Sequence, residues 1–172
     1  DGHNYQIPIN DGPNSLHGGT MGFDRRVWTL LTVKQGPSFA SVRLRYVSPD
    51  GDQGYPGALT ATATYTLDDH DRLHIDYRAT TTAPTIVNLS NHTYWNLSGE
   101  GSGSVTHERL MIPAAEFTPV DATLIPTGAF SPVAGTPFDF RQPKAIGRDI
   151  RDGRSQQLLF GRGYDINWVI SR

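Results

Sequence analysis

Cysteine is missing from all 172 residues, which excludes disulfides, thiolate metal sites and thiol nucleophiles together. A cysteine-free chain fits the cytoplasm, the expected location, although composition alone does not separate compartments. Long apolar runs are missing too, since no stretch approaches the ~20 residues that a membrane helix needs. Neither sign of charge dominates. Fifteen basic against 17 acidic side chains leave a formal net charge of −2, with no footprint for nucleic acid or a membrane surface. A neutral small molecule suits such a surface better than a polyanion does. Helical periodicity is nearly absent: residues 145–150 offer one turn, weakened by Gly147.

What is present is period two. Leu59, Ala61, Ala63, Tyr65 and Leu67 alternate with Thr60, Thr62, Thr64 and Thr66, the pattern of a half-buried strand. Leu73, Ile75, Tyr77 and Ala79 repeat it after the polar turn Asp68-Asp69-His70-Asp71, which predicts an antiparallel hairpin or meander. Val42, Leu44 and Tyr46 alternate with Ser41, Arg43 and Arg45 in a further strand ending at Ser48-Pro49-Asp50-Gly51. Shorter strands are expected at residues 5–9, 27–33, 105–112 and 165–170. Eighteen glycines and 12 prolines punctuate these runs as many short strands require. With no repeat, low-complexity tract or linker, residues 1–172 read as a single all-β domain. That domain reads as partial. The chain opens at Asp1 and stops at Arg172, directly after the strand-like DINWVI. All-β domains often reach ~200–250 residues, so a further portion is expected at one or both ends, and any signal peptide would lie outside view.

The chemistry concentrates in residues 88–99, NLSNHTYWNLSG. Read as extended chain, Val87, Leu89, Thr93, Trp95 and Leu97 fall on one face. Asn88, Ser90, His92, Tyr94, Asn96 and Ser98 fall on the other. That second face lacks Lys, Arg, Asp and Glu and carries an imidazole, a phenol, amides and hydroxyls, which suit a neutral polyol. His92 can change its charge near neutral pH without help. The alternative is an ordinary solvated face. Asn88, Asn91 and Asn96 each open an Asn-X-Ser/Thr sequon, read here as an accident of composition.

Three further segments are candidates. In PNSLHGG, His17 precedes Gly18 and Gly19, where backbone can approach a ligand; an incidental His in a tight turn is the competing reading. Asp24, Arg25 and Arg26 after it read as a surface turn. SPDGDQGYPG, residues 48–57, reads as a structural loop able to wall a cleft, because Asp50 and Asp52 are too few for a calcium loop. In GYDINW, Asp165 lies between aromatics and could accept a pair of sugar hydroxyls, or be a strand-end Asp in a turn. A metal on His17, His92 and Asp165 is the weaker alternative, because only His70 and His74 have a short metal-like spacing and they straddle a hairpin. No GxSxG elbow supports serine chemistry.

PNSLHGG with a following GFD, then SPDGDQGYPG, NLSNHTYWNLSG, LIPTG, PFDFR and GYD occur in one order. Together they closely resemble the aldose 1-epimerase (galactose mutarotase) family, from about Tyr5 to the C-terminus. The resemblance implies an antiparallel β-supersandwich, here incomplete, and an isomerase that interconverts α and β anomers of free aldohexoses. It implies no metal and no organic cofactor, and a monosaccharide, an aldohexose, as the small-molecule partner, with oligomeric state left open. By the same resemblance His92 matches the general acid, and His17 the second active-site histidine near the ring oxygen. Asp165 matches the carboxylate that holds sugar hydroxyls, and Thr93 and Tyr94 line the sugar beside the acid. The family's general base is a glutamate in the C-terminal portion, and none of Glu100, Glu108 or Glu116 stands in a matching motif. An Asn-Arg pair that binds the sugar would precede Asp1. After GYD the family usually has His; Ile166 stands here, as a packing position. These departures predict little or no catalysis by the 172 residues alone. Two alternatives stay open: a non-catalytic carbohydrate-binding or regulatory module, and a hexose-6-phosphate 1-epimerase. The latter would need a phosphate-binding arginine cluster, for which Arg25, Arg26 and Arg141 are the candidates.

Overall fold

A computed structural model describes residues 2–171. It is all-β with antiparallel pairing throughout, and it resolves into two compact units, one ending at His92 and the other beginning at Thr93.

The first unit is a four-stranded meander of β1 (Thr29–Gly36), β2 (Phe39–Ser48), β3 (Leu59–Asp68) and β4 (Leu73–Thr81), in that spatial order. The predicted hairpin is β3–β4, and the predicted strand around Val42–Tyr46 is the middle of β2. Register explains why the alternation matters. Ala63 pairs with Leu44 on one side and Tyr77 on the other, and Tyr65 with Val42 and Ile75. One face is therefore apolar across β2, β3 and β4, and the opposite face carries Thr60, Thr62, Thr64, Arg43, Arg45, Asp76 and Arg78. The apolar face is best covered around Leu59, Ala61 and Ala63, which are buried. Beside it Phe23, Trp28 and Tyr46 form a ring cluster with centroids 5.0–6.1 Å apart. At the far end Val33 and Leu67 stay exposed. The β3–β4 turn closes because Asp68 Oδ1 accepts the N–H groups of His70 (2.9 Å) and Arg72 (3.1 Å), while Asp71 takes a left-handed φ of 58°.

The second unit has less regular structure: β5 (Arg109–Leu110) pairs with β8 (Lys144–Ala145), and β6 (Glu116–Thr118) lies between β7 (Ser131–Pro132) and β9 (Asn167–Val169). Its core is Phe117, Val133, Phe138 and Leu158, with Tyr164, Ile166 and Trp168 packed against it. Leu158 comes from α1 (Gln156–Gly161), a short helix without a clear sequence signature. The neighbouring Gln157 imitates a strand, accepting from the Val120 N–H and donating to its carbonyl, both at 2.8 Å. Residues 145–150 do contain one turn, a 3-10 turn at Ile146–Arg148.

Three expectations differ from the structure. Residues 88–99 form no strand ladder. Their apolar positions are largely exposed, with Trp95 at 65% and Leu97 at 83%. Alternation specifies two faces but supplies no partner, and without one the backbone bonds locally: Asn96 caps a turn, its Oδ1 accepting from the Ser98 N–H at 3.0 Å. The expected strands are shortened or absent at residues 5–9, 105–112 and 165–170, leaving β5 and β9 in the last two. Arg26 is no surface residue: its Nη2 donates to Asp52 Oδ1 at 2.7 Å, and the side chain is only 26% exposed.

Candidate active site

His17 and His92 meet within the first unit, their ring centroids 5.2 Å apart and their planes at 88°. Each arrives by a different route. His17 sits in a run of three left-handed residues, with φ of 52° followed by 82° at Gly18 and 95° at Gly19. The two glycines make such a turn affordable, and Gly22 lets the His17 carbonyl pass where a Cβ would collide with it. Ahead of His17, the Asn10 amide clasps Leu16, accepting from its N–H at 2.7 Å and donating to its carbonyl at 3.0 Å. Behind it, Gln53 Oε1 accepts from Thr20 Oγ1 (3.1 Å) and from the Met21 N–H (3.3 Å). His92 follows Asn91, which hydrogen-bonds the Tyr77 hydroxyl on β4; burial foremost pushes the Tyr77 phenol up.

The loop that carries Gln53 is self-satisfied. Asp52 Oδ2 accepts from Ser48 Oγ (2.9 Å) and Tyr46 OH (3.3 Å), and Asp50 Oδ1 from the Gly57 N–H (2.6 Å). Asp50 thus serves the loop itself, while Asp52 also holds Arg26 through its other oxygen. Gln53 escaped the sequence reading, where the loop stood only as a wall; its signal was a bulky amide set between turn glycines.

In the second unit Thr93 and Tyr94 continue the motif, Tyr94 with 86% exposure. Asp165 projects from the corner after α1, where Arg162 has φ 54° and the Gly163 N–H donates to the Leu158 carbonyl at 3.0 Å. A Cβ on Gly161 would stand 2.8 Å from Asp165 Cβ, so the corner closes tightly under the carboxylate. The residues flanking Asp165 are anchored: Tyr164 OH donates to the Pro137 carbonyl (3.3 Å) and Trp168 Nε1 to that of Phe138 (2.9 Å). Ile166 packs into the core. The Asp165 carboxylate itself makes no hydrogen bond or ion pair among the described residues, and it is exposed. Beneath this corner Lys144 is buried at 6% exposure, its Nζ donating to the Pro137 carbonyl (2.5 Å) and Asp149 Oδ2 (2.8 Å) and lying 4.2 Å from the Phe140 ring centroid.

A chain of this composition could still carry a cation or a phosphate elsewhere. Asp68, Asp69 and His70 bring ligand atoms within 4.8 Å of one another, but Arg72 Nε already donates to Asp68 Oδ2 at 2.8 Å. That bond foremost holds the Asp68 carboxyl down at about 2. The candidate phosphate arginines are committed too: Arg26 to Asp52, Arg25 to the Thr20 carbonyl (3.3 Å), and Arg141 to both oxygens of Asp139 (2.9 and 2.7 Å).

A family model described as aldose 1-epimerase matches residues 1–172. The chain belongs to the aldose 1-epimerase family. It is 44% identical over 172 residues to a galactose mutarotase of Sus scrofa, covering all of this chain and 47% of that protein. Against an aldose 1-epimerase of Escherichia coli (strain K12) it is 42% identical over 165 residues, 96% of this chain and 46% of the other. The crystal structure of a galactose 1-epimerase from Lactobacillus acidophilus NCFM superposes with a TM-score of 0.87 at 36% identity, covering 97% of this chain and 48% of that one. The epimerase-family chain thus spans about half the length of the curated relatives it matches, and its fold is that of the family's solved members. Among its described residues no helix is long and apolar enough to cross a membrane.

Proposed function

We propose that the complete protein is an aldose 1-epimerase, an isomerase that interconverts the α and β anomers of free aldohexoses such as galactose and glucose. The observation that carries this reading is the edge-on pair His17–His92, in a chain that the aldose 1-epimerase family model matches along its whole length. Opening a pyranose requires a proton to reach the ring oxygen while another leaves the C1 hydroxyl. His92 is the general acid, its imidazole being a side chain that can donate a proton to the ring oxygen. His17 binds the sugar at the ring oxygen. Thr93, Tyr94 and Asp165 hold hydroxyl groups, Asp165 as an exposed carboxylate with no hydrogen bond or ion pair among the described residues. The base is a glutamate outside these 172 residues. No cofactor or metal enters the scheme. The two compact units are parts of one domain, supported by a family model that runs through both. The cytoplasm is the proposed setting, in keeping with the cysteine-free composition.

Polarimetry on freshly dissolved α-D-galactose tests this. The complete protein should relax the rotation faster than buffer, and His92→Ala should lose ~10²–10⁴-fold, the span of one positioned acid. The 172 residues alone should relax at the buffer rate, for want of the base. An undiminished rate in His92→Ala would overturn the assignment, and galactose binding without any faster relaxation in the complete protein would favour a non-catalytic sugar-binding module.

A further inference from the structure

We infer that Gln53 is a positioning residue for the histidine pair: its side-chain oxygen holds the loop behind His17 so that the imidazole meets His92. The inference rests on the proposed function only in taking that pair as the proton-transfer machinery. Three observations carry it. First, Gln53 occupies φ 50°, ψ 29°, left-handed backbone inside the 3-10 turn Asp52–Gly54, between Gly51 at 79° and Gly54 at 78°. Glycine adopts such a conformation at no steric cost, so a glutamine there stands against the backbone's preference. Second, the side chain is used: Oε1 accepts from both Thr20 Oγ1 and the Met21 N–H. It approaches so closely that a Cβ on Gly19 would stand 2.5 Å from it. Gly19 is buried and leaves that space open. Third, the His17 imidazole makes no hydrogen bond among the described residues, its ring contact with His92 being its one side-chain partner. Nothing attached to the ring orients it, so its aim is set by the backbone on either side. Asn10 fixes that backbone at Leu16, and Gln53 fixes it at Thr20 and Met21. Loop and histidine are 36 residues apart in sequence, and this amide ties the β2–β3 connection to the His17 turn itself, while the neighbouring Asp52 holds Arg26 further along the same segment.

Because only the oxygen accepts, a carboxylate can replace the amide, whereas a thioether or no side chain cannot. The experiment reads the nuclear Overhauser contact between the ring protons of His17 and His92 in the isotopically labelled 172-residue chain. Thermal unfolding is followed in parallel. Gln53→Gly removes the acceptor and relieves the left-handed strain, so it should unfold at or near the wild-type temperature yet lose the ring-to-ring contact. Gln53→Met keeps the bulk and should lose the contact as well, while Gln53→Glu should keep it. A purely structural role would lower the unfolding temperature of Gln53→Gly and leave the contact intact. The inference is overturned by a folded Gln53→Gly or Gln53→Met with an undiminished contact, by its loss in Gln53→Glu, or by failure of both acceptor-free variants to fold. Polarimetry of the complete protein separates the two readings: relaxation of galactose no faster than in buffer would count against the proposed function and leave the result on Gln53 standing.

Discussion

Removing Lys144 should unfasten the corner that carries Asp165, and the size of the loss follows from what its ammonium touches. At 6% exposure Nζ is satisfied by the Pro137 carbonyl, by Asp149 Oδ2 and by the face of Phe140. Hydrogen bonds to a charged group contribute ~1.5–3 kcal/mol each, and a desolvated cation over a ring adds ~0.5–2 kcal/mol. These are not additive, and breaking a buried pair by removing one partner typically costs ~3–5 kcal/mol. That range is the expectation for Lys144→Ala. Lys144→Met keeps the aliphatic stem packed, and Asp149 retains Arg148 Nε at 3.3 Å, so its loss should be nearer ~2 kcal/mol. Urea unfolding read by Trp168 emission measures both, and a cycle with Asp149→Asn isolates the pair. The dependence on pH has a definite sign. The Lys144 hydrogen bond foremost holds the Asp149 carboxyl below its usual range. Its contribution is therefore present above the unfolded value of ~3.9 and fades as the pH falls through the lower folded value. The gap between wild type and Lys144→Ala should narrow in acid. A loss under ~1 kcal/mol at neutral pH, or a gap constant down to acid, would refute the reasoning.

Burial foremost, with the Asp149 charge behind it, pushes the Tyr164 phenol up to about 12. Ultraviolet titration should show at least one of the seven tyrosines resisting ionisation past pH ~11, and one fewer in Tyr164→Phe, with stability falling as pH rises from the unfolded value of ~10; complete titration in a folded protein by pH ~11 would contradict this. Gly51 and Gly54 make a controlled pair at nearly equal φ, 79° and 78°, but a Cβ meets open space at Gly51 and the Gln6 carbonyl at Gly54. Gly51→Ala should cost ~1 kcal/mol of strain alone, and Gly54→Ala distinctly more by thermal unfolding; equal costs would deny the close approach.

The β3–β4 hairpin and the middle of β2 were legible because their apolar residues alternate with polar ones and their turns are written in Asp, Gly and Pro. Residues 88–99 alternate equally well and yet form no ladder, since a pattern of faces carries no information about a neighbouring strand. Helix α1 is too short for periodicity to register, and only Leu158 on it is buried. His17 stood out through the glycines after it. Its meeting with His92 could not be read locally, because that contact is decided by how the intervening strands fold back. Lys144 and Gln53 were invisible for another reason. Lysine is rarely buried, and a glutamine in left-handed backbone resembles any other loop residue until its φ is known.

The two histidines lie on opposite sides of the meander in sequence, one before β1 and one after β4. Closing an unstructured loop of the 75 residues from His17 to His92 would cost ~4 kcal/mol in chain entropy. The meander removes most of that by a succession of small closures, each strand folding back on its predecessor. The ring pair thus depends on the register of each hairpin between the two histidines, because a slip of one residue turns every side chain of a strand to its other face. The contact between the two rings therefore reports on the register of the whole meander.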